Sequence, residues 1–251
     1  MESARPPGPV WLVLPTYNEA ENIEAFVAAV RAHLPAERRI LIVDDSSPDG
    51  TGEIADRLAA EHDDVQVLHR PVKEGLGPAY IAGFREALAA GAELIVEMDS
   101  DFSHDPAHLP ALLAAASDAD VVLGSRYVPG GAVTDWGPMR RLISRGGSAY
   151  ARMLLGVRIR DLTGGFKCFR RRVLESIDLD IVTSRGYAFQ IELTYRAIDA
   201  GFTVVELPIV FREREHGDSK MSGPIVLEAI WRVPLLRLGR LPPDAKRRRQ
   251  S

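Results

Sequence analysis

The stretch Ile95-Val96-Glu97-Met98-Asp99-Ser100-Asp101-Phe102-Ser103-His104 ends an apolar strand in two carboxylates spaced one residue apart. Side chains at i and i+2 of an extended segment share a face. Where the strand gives way to a turn, Asp99 and Asp101 can therefore both offer oxygens to one hard divalent cation. Mg2+ or Mn2+ suits such donors, whereas zinc prefers nitrogen and sulfur. The chain has a single Cys, and no Cys or His pair stands near the motif at zinc-ligand spacing. An Asp-x-Asp in a loop also serves as a solvated turn or as the cap of a following helix, here Pro106 to Ala116.

Upstream, Val10-Trp11-Leu12-Val13-Leu14 reads as a buried strand that runs into Pro15-Thr16-Tyr17-Asn18-Glu19, with a helix expected to about Leu34. Ile40-Leu41-Ile42-Val43 is apolar without alternation, as in a parallel strand covered on both faces, and it ends in Asp44 and Asp45. Ser46-Ser47-Pro48-Asp49-Gly50-Thr51 is turn chemistry, with an Asp or Thr placed to cap a helix reaching Glu61. A third strand, Val65 to His69, precedes Lys73-Glu74-Gly75-Leu76-Gly77 and a helix to Ala90; a fourth runs from Glu93 to Met98. A fifth, Asp120 to Leu123, ends in Gly124-Ser125-Arg126-Tyr127.

Five alternations of strand and helix predict an α/β fold with a mostly parallel central sheet, flanking helices and right-handed crossovers. Glu19, Asp44, Asp45, Lys73, Asp99, Asp101 and Arg126 all follow the carboxyl ends of expected strands. Open α/β sheets bind their ligands there. No Gly-x-Gly-x-x-Gly follows the first strand and no Gly-x-x-x-x-Gly-Lys-Ser/Thr occurs, which argues against dinucleotide and P-loop sites.

At this point the chain resembles the family-two glycosyltransferases of GT-A (Rossmann-like) fold, and within them the polyprenol (dolichol) phosphate mannose synthases. The likeness spans about Val10 to Met221 and rests on seven blocks in order. They are Leu14 to Glu19, Val43 to Thr51, Gly75 to Tyr80, Met98 to His104, Gly124 to Tyr127, Leu162-Thr163-Gly164-Gly165-Phe166-Lys167, and Gly217-Asp218-Ser219-Lys220-Met221. The resemblance implies that Pro15, Tyr17, Glu19, Asp44 and Asp45 bind the nucleoside, with Lys73, Gly75, Ser100 and Arg126 completing the nucleotide-sugar site. It implies a cation held by Asp99, Asp101 and Ser103. Some members carry Gln at the last position, so a water would fill the place of the shorter Ser103. Arg126, Gly164, Gly165, Lys167, Arg214 and Lys220 fall to the acceptor side, and Asp101, Arg126, Arg214 and Lys220 to catalysis.

The implied reaction is inverting transfer of mannose from GDP-mannose to a polyprenyl monophosphate, giving polyprenyl phosphate mannose for glycolipid or protein mannosylation. Guanine and uracil both offer N–H donors, so Asp44 and Asp45 leave the base open. Glucose transfer from UDP-glucose is the alternative within the class. Outside it stand a sugar-1-phosphate nucleotidyltransferase, disfavoured by the lack of a Gly-rich basic signature after the first strand, and a catalytically silent subunit of a membrane complex. A phosphate monoester is largely dianionic at neutral pH, so the acceptor needs cations rather than a general base. Arg is expected to meet it bidentately and Lys as a point charge. Arg214 and Lys220 lie in a charged segment, Phe211 to Met221, after an apolar strand Val204 to Val210; such a loop could close over the diphosphate.

At 251 residues and 46% hydrophobic content the chain suits one domain, expected over residues 10–240 between a flexible start at 1–9 and a basic flexible tail at 241–251. The amino terminus lacks the apolar core of a signal peptide. A single cysteine, Cys168, precludes an internal disulfide and reads as core. No window reaches the roughly 20 apolar residues of a spanning helix; Ile225 to Leu238 is interrupted by Glu228, Arg232, Pro234 and Arg237. Residues 137–172, however, hold ten Lys or Arg against the single acid Asp161, a net of +9 in a chain of net −4. If Leu142 to Val157 is helical, Ile143, Tyr150, Leu154 and Val157 fall opposite Arg141, Arg145 and Arg152. That pattern fits either an interfacial helix beside anionic lipid or an amphipathic helix packed on the sheet. The expected setting is peripheral, on the cytoplasmic membrane face, with an integral membrane partner and no nucleic acid.

Overall fold

The computed structural model describes residues 8–184, 186–212 and 223–239, and for 223–229 the backbone alone. The chain runs β1 (Val10–Thr16), α1 (Ile23–His33), β2 (Arg38–Asp44), α2 (Thr51–Glu61), β3 (Val65–His69), α3 (Leu76–Ala89) and β4 (Leu94–Glu97). A 3-10 turn at Pro106–His108 leads into α4 (Leu109–Ala115), followed by β5 (Val121–Ser125), β6 (Ala132–Val133) and α5 (Pro138–Leu155). Then come β7 (Lys167–Arg170), α6 (Arg171–Ser176), α7 (Gly186–Asp199), β8 (Val204–Pro208), β9 (Val210–Phe211) and α8 (Gly223–Arg237). The α/β class and the mostly parallel sheet expected from the sequence are present.

Seven strands form the main sheet in the order β3-β2-β1-β4-β7-β5-β8, and β6 pairs with β9 beside it. Only β7 of the seven is antiparallel, inserted between β4 and β5. The absence of alternation in β1 has a direct cause. Val10, Leu12 and Leu14 pack with Phe26 and Val30 of α1 and Leu112 of α4, while Trp11 and Val13 pack with Tyr80 and Phe84 of α3. Both faces are covered, so every position must be apolar. Cys168 lies in the core, where burial pushes its thiol up to about 12.

Register places the site. Thr16 pairs with Asp44 and Val13 with Glu97, so β2 and β4 flank β1 and end at nearly one level. Two strand spacings, about 10 Å, separate the turn carrying Asp44 and Asp45 from the one carrying Asp99 and Asp101. The long connection from β8 splits at Ile209 into two strands, not the single strand expected, and β9 crosses to β6.

Candidate active site

The loops after β1 and β2 hold each other. Asp44 accepts from the Thr16 hydroxyl at 3.1 Å, the Ser47 hydroxyl at 2.5 Å and the Ser47 N–H at 3.1 Å. Ser47 Oγ accepts in turn from the Asn18 N–H, and Thr51 Oγ1 from the Glu19 N–H. Asp49 bonds the N–H groups of Ala20 and Thr51, so the Asp of the turn serves the start of α2 through Thr51. Asn18, Ser46 and Phe102 each adopt positive φ (58°, 54° and 60°) just after β1, β2 and β4. Left-handed non-glycine residues are uncommon and gather at functional turns; Asn tolerates this conformation, whereas nothing in their residue type announced Ser46 and Phe102.

Asp45 is buried and receives Arg70 Nη1 at 2.5 Å, while Arg70 Nη2 reaches Glu74 at 2.8 Å. Burial raises the Asp45 carboxyl above its usual value, with Arg70 opposing. The Lys73 ammonium sits 3.3 Å from the centre of the Tyr17 ring, and Gly75 opens α3 at φ 105°, a conformation that suits glycine. Pro15 and Glu19 lie at the same strand end; Glu19 is buried and accepts from Asn22. Arg70, which steers Asp45, was not singled out in the sequence, because a single arginine just beyond β3 reads as ordinary surface charge until the fold half-buries it against Asp45.

At the end of β4, Asp101 is only 3% exposed, more enclosed than a cleft-surface residue. Its Oδ1 accepts the Ser103 N–H at 3.0 Å and the Ser103 hydroxyl at 2.5 Å. Ser103 thus orients Asp101, and its hydroxyl proton points at a carboxylate. Asp99 Oδ1 accepts from the Tyr80 hydroxyl at 3.1 Å; Tyr80 itself is buried between Phe84 and Phe189. Ser100 is buried between the two carboxylates in sequence. These donors steer an all-oxygen pair that fits Mg2+ or Mn2+. Among the described residues no group of three His, Cys, Asp or Glu gathers into a closed cage, so substrate oxygens and water would complete the shell, as hard cations allow. His104 packs against Phe166 and Phe211, and burial lowers its pKa to about 4, so it is neutral at physiological pH; its Nδ1 has no partner among the described residues.

Lys167 departs from expectation. Its ammonium is fully buried beneath the sheet end and bonds Glu97 Oε1 at 2.9 Å and Gln190 Oε1, so it is not offered to an acceptor. Burial lifts the Glu97 carboxyl to about 7 while Lys167 opposes, and burial also lowers the lysine. Glu192 pairs with Arg196 one turn on and accepts the Ser184 N–H. Phe166 and Phe189 are core.

Arg126 follows β5 and is 5% exposed. Its Nε and Nη2 grip Asp161 at 2.7 and 2.6 Å, and Nη2 also reaches Thr163 at 2.8 Å. Contrary to the bidentate phosphate contact expected, the guanidinium fork is spent on Asp161. Burial works to raise the Asp161 carboxyl, yet the Arg126 charge and hydrogen bonds hold it below its usual value. Rings of Tyr127, Trp136 and Phe211 surround Arg126 at 5.2, 5.8 and 5.3 Å, and Arg140 lies 4.2 Å from the Trp136 ring. Trp136 and Arg140 were missed in the sequence; only tertiary packing brings them to Arg126. Gly164 and Gly165 pass close beneath: a Cβ on Gly164 would sit 3.3 Å from the Gly124 carbonyl, and one on Gly165 3.2 Å from Gln190 Nε2 and 3.8 Å from Asp99 Oδ2. Arg214 and Lys220 lie outside the described residues.

A seven-stranded, mostly parallel sheet with carboxylate pairs after β2 and β4, on either side of β1, defines an α/β protein of the GT-A kind. Residues 11–178 match the model of glycosyl transferase family 2, and the chain belongs to that family. It is 50% identical over 224 residues to the undecaprenyl-phosphate mannosyltransferase of Micrococcus luteus, covering 89% of this chain and 92% of that one. It is 53% identical over 234 residues to the polyprenol monophosphomannose synthase of Mycolicibacterium smegmatis, covering 92% of this chain and 88% of that one. Among solved structures, glucosyl-3-phosphoglycerate synthase from Mycobacterium tuberculosis with Mn2+, UDP and phosphoglyceric acid superposes with a TM-score of 0.70 at 20% identity. The match covers 95% of this chain and 81% of that one, a likeness of fold.

Proposed function

We propose that this chain transfers mannose from GDP-mannose to a polyprenyl monophosphate, with inversion at the anomeric carbon, at the cytoplasmic face of a membrane. The observation that carries the reading is the pair of carboxylate turns at the ends of β2 and β4, about 10 Å apart across β1, a span suited to a nucleoside at one end and a diphosphate at the other. The mannosyltransferase relatives, at 50% and 53% identity, supply the sugar and acceptor class.

The Asp44 turn and the Arg70-braced Asp45 receive base and ribose, with Tyr17 beside Lys73 packing on the nucleoside. Asp99 and Asp101 would hold Mg2+ or Mn2+, which when bound neutralises charge developing on the leaving nucleoside diphosphate. Tyr80 and Ser103 fix those carboxylates beforehand, so little reorganisation remains at the moment of reaction. Arg126, locked by Asp161, keeps its Nη1 for the acceptor phosphate; Arg214 and Lys220, outside the described residues, are the further cations that the family resemblance assigns to the acceptor. The dianionic acceptor oxygen attacks the anomeric carbon opposite the leaving group, forming the glycosyl–phosphate bond in one displacement. No proton needs removal from the dianionic acceptor.

The test is incubation with Mg2+ or Mn2+, a short polyprenyl phosphate and radiolabelled GDP-mannose or UDP-glucose in parallel, counting label that enters organic solvent. Label from GDP-mannose alone is expected. Label from UDP-glucose alone would overturn the donor, and label from neither would overturn the transferase reading for the isolated chain.

A further inference from the structure

We propose that Gln190 and Asp99 border a niche, kept open by Gly165, that takes one hydroxyl of the hexose carried by the donor. This deepens the function proposed above and rests on it for the presence of a nucleotide-bound hexose.

Gln190 lies on α7 and is 2% exposed. Its amide is oriented from one end. The Lys167 ammonium donates to Oε1 and, at 3.3 Å, to the backbone carbonyl of the same residue, which also accepts the Thr194 hydroxyl at 2.9 Å. An ammonium offers only donors, so the amide oxygen faces it and the NH2 group is turned away. Nε2 then has no hydrogen-bond partner among the described residues. Glu97 Oε2 has none either, so the two are not bonded to each other, and the pull of Gln190 on the Glu97 carboxyl acts over a longer distance. Buried donors in folded proteins are nearly always paired, and one left unmade is costly. This amide is therefore built for a partner that arrives with a ligand.

Glycine makes the opening. A Cβ at position 165 would meet Nε2 at 3.2 Å and Asp99 Oδ2 at 3.8 Å. Gly165 does not adopt positive φ, so its backbone would accept alanine; what a side chain would take away is space. Gly165 and Asp99 are both half-buried, at the rim of the cleft.

Chemistry and sheet order together select the occupant. A hydroxyl can accept from Nε2 and donate to Asp99 at once. A dianionic phosphate has no proton to donate and would press its charge against the Asp99 carboxylate. That carboxylate has about four lone-pair sites, so it can serve a cation and a hydroxyl together. In the order β2-β1-β4-β7-β5, the turn carrying Asp44 and Asp45 follows β2 and Arg126 follows β5. Gly165 lies between them, because β7 runs antiparallel and its start, at Lys167, meets the carboxyl end of β4 at Glu97. The group that must lie between a nucleoside diphosphate and an attacking phosphate is the transferred sugar, not the ribose.

Titration calorimetry with Mn2+ and no acceptor separates this contact from turnover. Among the monodeoxy analogues of GDP-mannose, wild type should bind one about tenfold more weakly than GDP-mannose itself, the loss of one buried hydrogen bond. Gln190→Glu keeps an oxygen for Lys167 and removes the N–H, whereas Gly165→Ala fills the space and leaves the network intact. Each should raise the ratio of the GDP-mannose Kd to the GDP Kd about tenfold, and Gln190→Glu should no longer single out the sensitive analogue. Equal binding of every analogue by wild type would overturn the proposal and assign the space to water. An unchanged ratio in either variant, with GDP-mannose still bound, would overturn it too and leave the proposed function standing. The reverse failure looks different: if UDP-glucose binds with the same sensitivity to Gln190→Glu while GDP-mannose does not bind, the donor reading falls and the niche holds.

Discussion

Asp101 is gripped from behind by the Ser103 N–H and hydroxyl, so an amide in its place can keep one of these contacts while losing the charge. Asp101→Asn should leave the far-ultraviolet circular dichroism unchanged, weaken Mn2+ binding, and lower kcat/KM at least about a hundredfold, since cation-assisted charge stabilisation contributes several kcal/mol. Unchanged turnover would remove the metal assignment. Asp161 is an electrostatic prop at the same scale. Its carboxyl is held below its usual value of 3.8, so its contribution is complete above that pH and is lost as pH falls through the lower folded value. Wild type should therefore lose stability below about pH 4 partly through this group. Asp161→Asn leaves Arg126 buried without its counter-ion; it should cost about 3–5 kcal/mol at neutral pH and flatten that acid limb. Melting curves taken from pH 6 to pH 2.5 would check both.

Among the elements, α3 seats its flat side on the sheet through glycine. A Cβ on Gly83 would come within 2.3 Å of Val13 Cγ1 and 3.1 Å of Val43 Cγ2. Gly83→Ala gains about 1 kcal/mol in helix propensity and loses about 1–3 kcal/mol to overpacking. Denaturant titration should show net destabilisation, relieved when Val13 is also made Ala. The strand pair β4 and β7 carries the opposite kind of contact, the buried Lys167–Glu97 bridge. Lys167→Met strands a carboxylate and should cost about 3–5 kcal/mol, most of it recovered in the Glu97→Gln/Lys167→Met double variant. A single variant as stable as wild type would show that the bridge contributes nothing.

At the scale of the molecule, the site is a junction of loops from β1, β2, β4 and β5, so nucleotide binding should brace the whole sheet end. GDP at about a hundred times its Kd with Mn2+ should add about 2.7 kcal/mol, an upward Tm shift of about 5–10 °C for a chain of 251 residues. Chelation should abolish most of that shift. An equal shift from UDP would withdraw the base assignment, and a shift indifferent to Mn2+ would withdraw the role of Asp99 and Asp101. No helix among the described residues is long and apolar enough to cross a membrane.

Much of this was written along the chain itself. Strands buried on both faces must be apolar throughout, so β1 and β2 declared a parallel sheet; ligand-binding polar residues then had to follow those strands, which is where Asp44, Asp45, Asp99, Asp101 and Arg126 stand. What sequence could not reveal is partnership across distance. The Arg126 fork belongs to Asp161 because two loops 35 positions apart meet. Lys167 faces Glu97 because β7 turns antiparallel beside β4, which reverses a lysine expected at the acceptor into the core. Period and residue type fix local geometry, but which charge neutralises which is decided only when the sheet order brings them within a few ångströms.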